Sequence, residues 1–147
     1  MNEKQGFGDY YDYLKNEIMS YRGNLPEYVY YVPSLFRTLT GVLDAEQLDA
    51  QDRIAVFCAL GYFVAPNDVI PEEVYGPLGY VDDIYLCAWV LDRLVRKYGA
   101  PFVSPFWERE EDPIEEFLPY VLEETAKDLK EKTTEILSYT GLGERFS

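Results

Sequence analysis

Apolar and aromatic positions recur at helical spacing along most of the chain, and no stretch shows a strand-pairing pattern. After Asp9 as N-cap, Tyr10, Tyr13 or Leu14, Glu17 or Ile18, and Tyr21 predict a short amphipathic helix over Asp9 to Tyr21. Gly23-Asn24-Leu25-Pro26 ends it. Tyr28, Val32, Leu35, Phe36, Leu39 and Val42/Leu43 form the next stripe, which Pro33 either kinks or splits into a turn and a helix from about Pro33, because proline disfavours α geometry at Val32. Asp49 is placed to N-cap a helix through Arg53 to about Val64, and Ile54 to Val64 is apolar almost all round, the pattern of a helix buried on several sides.

Pro66, Pro71, Gly76, Pro77 and Gly79 punctuate a loop from Pro66 to Gly79. The following helix runs from about Tyr80 to Tyr98, with a stripe of Ile84, Cys87/Ala88, Leu91, Leu94/Val95 and Tyr98, basic residues near its end and Gly99 as its stop. Pro101 to Glu111 reads as an irregular connection whose Val103, Phe106 and Trp107 fold back on the core. Asp112-Pro113-Ile114-Glu115 has the form of a capping box and opens a last helix. Its stripe runs through Ile114, Phe117/Leu118, Val121/Leu122, Thr125, Leu129 and Ile136/Leu137 to Gly141, with Pro119 predicting a bend or a late start. The pattern therefore predicts an all-α fold. It is read as a single domain over residues 1–147, with five or six helices around a central antiparallel hairpin of Ile54 to Val64 and Val81 to Tyr98.

Composition narrows the chemistry more than the fold. The chain holds 27 acidic and 13 basic residues, a net charge of −14, which disfavours binding to nucleic acid or anionic lipid and favours a basic partner or divalent cations. Histidine is absent, which removes Ser-His-Asp and Cys-His catalysis, histidine metal ligands and imidazole switching. Cys58 and Cys87 sit in apolar helical patterns without CxxC spacing and are expected to be buried free thiols. No hydrophobic signal core follows Met1, and the longest apolar run, Ile54 to Ala65, is too short to span a bilayer, so a cytoplasmic protein is expected.

Two acidic turns bracket the loop of the hairpin: Ala65-Pro66-Asn67-Asp68-Val69-Ile70-Pro71 and Gly79-Tyr80-Val81-Asp82-Asp83-Ile84. A helix hairpin brings Asp68 to the same end as Asp82 and Asp83. These carboxylates then cap helix termini, or hold Mg²⁺ or Ca²⁺ through oxygen ligands, or receive a basic peptide. The alternating ligands of an EF-hand are missing, and Asp82 and Asp83 point about 100° apart, which disfavours a concerted acid–base pair.

The stretch from Ala59 to Pro71, followed by Leu78 to Asp83, resembles the YkvA-like family of small bacterial and archaeal proteins. Tyr62, Pro66, Asp68, Ile70, Pro71, Gly79, Tyr80, Asp82 and Asp83 fill its helix end, its Pro-x-Asp-x-Ile-Pro turn and its Gly-Tyr-x-Asp-Asp helix start. The resemblance covers about a quarter of the chain. It implies a helical hairpin in a family of unknown function and supplies no reaction, substrate or cofactor. Glu72 to Pro77 departs from the family's loop in being acidic.

With 14 tyrosines, the first helices either pack their rings on the core with hydroxyls reaching water or present an interface for a protein partner or self-association. The missing histidines and the absence of a nucleophile-and-base arrangement argue for a non-catalytic, protein-interacting accessory domain without a cofactor. The alternative is a divalent-cation site at Asp68, Asp82 and Asp83, with Mg²⁺ or Ca²⁺ supporting phosphoester chemistry.

Overall fold

The computed structural model describes residues 3–21, 25–64 and 80–142, without the side chains of residues 3–7, 64 and 139. Helix α1 (Glu3–Ser20) leads to a 3-10 turn (Glu27–Tyr31) and α2 (Val32–Val42), followed by α3 (Ala50–Val64) and α4 (Val81–Tyr98). After α4 come the single-turn α5 (Ala100–Val103), a second 3-10 turn (Ser104–Phe106), α6 (Ile114–Leu129) and α7 (Lys132–Thr140). The fold is all-α, and the described residues contain no strand.

Local chemistry accounts for most boundaries. Pro33 sits in the first turn of α2, where its missing N–H costs nothing, and the preceding residues close into the 3-10 turn. The Asp49 carboxylate accepts the Asp52 N–H at 2.9 Å and caps α3. Gly99 ends α4 at φ 94°, a conformation that side chains with a Cβ rarely adopt. At Gly41 an added Cβ would lie 2.5 Å from the Phe106 ring, so only glycine lets the second 3-10 turn rest on α2.

The expected capping box does not form. Helix α6 begins at Ile114 without a side-chain cap, and the Asp112 carboxylate instead accepts the Tyr31 hydroxyl at 2.6 Å. The long last helix is also broken: Lys130, at φ 56°, separates α6 from α7, while Pro119 lies within a continuous α6. With α5 and α7 added, the described residues hold seven α-helices rather than five or six.

The hairpin is present, but α3 is less enclosed than its apolar pattern predicts. Helix α4 packs most extensively on α6, then on α3, and also meets α2, α5 and α7. Val81, Ile84, Leu86, Cys87, Ala88, Val90, Leu91 and Leu94 are all buried, so α4 is the helix enclosed from several sides. Helix α3, apolar almost all round, keeps an open face on which Ile54 is 42% and Phe57 48% exposed. Tyr10, Phe36, Phe63 and Tyr80 join α1, α2, α3 and the start of α4, with successive ring centroids 5.0, 5.5 and 5.9 Å apart.

Candidate functional site

Polar groups gather at both ends of the α3/α4 hairpin. At the loop end, Asp82 and Asp83 occupy the first turn of α4, where the helix dipole favours negative charge, and both are fully buried. Asp82 Oδ1 accepts the Asp83 N–H at 3.0 Å and Oδ2 accepts the hydroxyl of Tyr62, from the last turn of α3, at 2.7 Å. Beside them the Tyr80 hydroxyl donates to Glu17 of α1 at 2.8 Å, and Tyr10 donates to the Phe63 carbonyl at 3.2 Å. Asp68 lies outside the described residues. Among those described, no group of three or more carboxylates or thiols is placed to hold a metal ion.

The opposite end is built around Asp52, in the first turn of α3. Asp52 is fully buried, and its Oδ2 accepts Lys97 Nζ at 2.6 Å and the Tyr98 hydroxyl at 2.8 Å, while Arg93 Nε lies 3.5 Å from Oδ1. Lys97 also reaches Asp49 Oδ2 at 2.5 Å. This contact and the Asp52 N–H hold the Asp49 carboxyl down to about 2. The contact is antiparallel, joining the first turn of α3 to the last turn of α4. A signal for it exists in the sequence: Asp52 shares a helical face with the core residues Ala55, Val56, Ala59 and Phe63.

Tyrosine and carboxylate pair repeatedly across the fold. Tyr11 donates to Glu108, Tyr28 to Asp128, Tyr31 to Asp112, Tyr62 to Asp82, Tyr80 to Glu17 and Tyr98 to Asp52. These hydroxyls meet anions within the fold rather than simply reaching water, which ties the chain's tyrosine content to its acidity. The Asp112 hydrogen bond, with burial, pushes Tyr31 up to about 12; burial and then the carboxylate partner raise Tyr11, Tyr28 and Tyr80. Each of these groups holds its proton more tightly folded than unfolded, so its stabilisation is complete below the ordinary value of 10.0 and is lost as pH rises through the folded value. Urea midpoints measured against pH are expected to fall from about pH 10 towards about 12. A flat profile across that window would contradict the pairing.

An open groove of about 750 Å³ lies between α1, α2 and the Ser104–Phe106 turn, lined by Phe36, Arg37, Trp107 and Glu108 among others. Two of its charged groups pair with each other: Glu108 accepts the Ser34 hydroxyl at 2.7 Å and Arg37 at 2.8 Å, and also the Tyr11 hydroxyl. Burial would raise the Glu108 carboxyl, but these donors hold it below its usual value. Cys87 is buried, which pushes its thiol well up, while Cys58 is half-buried rather than buried as expected; both are free. No described helix is long and apolar enough to cross a membrane.

Residues 52–89 match the family described as "Protein of unknown function (DUF1232)". The chain is also 33% identical over 129 residues to an "Uncharacterized protein ORF9" of Methanothermobacter thermautotrophicus, a match covering 88% of each protein. No solved structure matches the chain. Neither match carries the YkvA name. The family segment runs from the buried Asp52 through Tyr62 and the Asp82–Asp83 turn to Trp89, and the archaeal relative extends the similarity over nearly the whole length: this chain belongs to the DUF1232 family of proteins of unknown function.

Proposed function

We propose that the chain is a non-catalytic helical module that works by binding a protein surface through the outward face of α3. The observation that carries this reading is the exposure of Ile54 and Phe57, one turn apart, on a helix within the family segment. Single exposed apolar side chains are ordinary, but here Gln51, Ile54, Phe57, Cys58 and Gly61 form one uncharged strip on a molecule of net charge −14. An exposed aromatic ring beside an aliphatic side chain is the kind of anchor on which protein interfaces concentrate their binding energy. Asp52 and Asp82 favour the same reading, because each is engaged by internal donors. The test is a photo-cross-linking amino acid at position 57 in cells of the source organism. A cross-linked polypeptide is expected; its absence, with the chain folded and expressed, rejects the proposal.

A second reading, a Mg²⁺ or Ca²⁺ site at Asp68, Asp82 and Asp83 serving phosphoester chemistry, draws support from the burial of two consecutive carboxylates. Buried negative charge requires compensation, and a cation is one source of it. Calorimetry with Mg²⁺, Mn²⁺ and Ca²⁺ decides this: saturable heat lost in Asp82→Asn is expected, and no heat from the unmodified chain removes the reading.

A further inference from the structure

Resting on the interaction reading, we infer that the surface received by α3 is the same face of a second copy of this chain, packed antiparallel across a two-fold axis beside Phe57 and Cys58. The spacing of the strip carries the inference. Ile54 and Gly61 lie equally far on either side of the midpoint between Phe57 and Cys58, so antiparallel pairing sets each Ile54 over the other copy's Gly61 and each Phe57 beside the other copy's Cys58. Gly61 provides the matching hollow: a Cβ there would meet nothing within 4 Å among the described residues. A glycine inside a helix weakens it relative to alanine, and among the described residues nothing packed against it accounts for that cost. Close approach of another helix does.

Charge selects the same occupant. Two molecules of net charge −14 repel over most of their surfaces, and this strip is a place where they can meet without opposing carboxylates. A basic partner would gain more from the acidic faces elsewhere. From Gln51 to Gly61 the strip extends about 15 Å along the helix, short of a standard interface, so the dimer is weak and concentration-dependent.

Sedimentation equilibrium of the full chain, at about 0.05 M and about 0.5 M NaCl, tests the assignment. Dimer formation is expected to strengthen with salt, the reverse of a complex held by opposite charges. Phe57→Glu is expected to raise the dissociation constant at least about ten-fold, with the thermal midpoint little changed because the ring is half exposed. Gly61→Ala is expected to raise the thermal midpoint while weakening the dimer several-fold, a split that a purely intramolecular glycine would not produce. A monomer up to millimolar concentration at the higher salt, or a dimer indifferent to both variants, overturns the inference. If position 57 then cross-links to a different polypeptide, the self-pairing fails and the interaction reading stands; if it cross-links to nothing, both fail.

Discussion

Asp52→Ala is expected to lower the unfolding free energy by roughly 2–4 kcal/mol and the thermal midpoint by roughly 5–15 °C. The carboxylate is fully buried, yet Lys97 and Tyr98 donate to it and the Arg93 guanidinium lies 3.5 Å away, all three from the last two turns of α4. Charge-assisted hydrogen bonds are stronger than neutral ones, and losing their shared acceptor detaches the end of α4 from the start of α3. Asp52→Asn keeps the size and a carbonyl acceptor, so it should cost less than the alanine variant. Lys97→Met should cost less again, because the lysine side chain is 42% exposed and its removal leaves Tyr98 and Arg93 on the carboxylate. Urea denaturation of the three variants checks the order; an Asp52→Ala chain as stable as the parent would mean that the cluster is not a clamp.

The elements that could be read in the sequence are those fixed by neighbours in the chain. Asp49 caps α3 through an amide three residues away, Gly99 stops α4 through its own φ, and Pro33 splits the second stripe by local sterics. Two misreadings come from competition by distant residues. Asp112 had a local cap available and gave its carboxylate to Tyr31, 81 positions away. Asp52 follows Asp49 in a polar stretch and is buried by contact with residues 45 and 46 positions further on. The break at Lys130 left no mark in the apolar stripe, because Leu129 and Ile136 are both buried on either side of it. The uniform apolarity of α3 suggested enclosure, whereas enclosure depends on how many helices reach a given face. At the loop end the burial of Asp82 and Asp83 was not legible either, since a first-turn aspartate has the same sequence signature whether it faces solvent or the core.

Tyr62→Phe removes one hydroxyl and is expected to cost about 1–3 kcal/mol, because it withdraws the 2.7 Å donor from a carboxylate oxygen that is shielded from water. Asp82→Asn retains the shape and weakens the bond. If Tyr62 and Asp82 act mainly on one another, the double variant should lose less than the sum of the single losses, with a coupling of about 1 kcal/mol in a double-mutant cycle. Adding Mg²⁺ or Ca²⁺ during the same unfolding experiments separates the two roles of the turn. A carboxylate that serves as a brace gives the same cycle with and without the cation. A carboxylate that ligates a cation gives a parent chain whose stability rises with cation concentration, by about 2.7 kcal/mol at a hundred times the dissociation constant. Asp82→Asn should then abolish that rise and Tyr62→Phe should leave most of it. The Tyr62 hydrogen bond and the response to a divalent ion are thus independent readouts of one buried side chain.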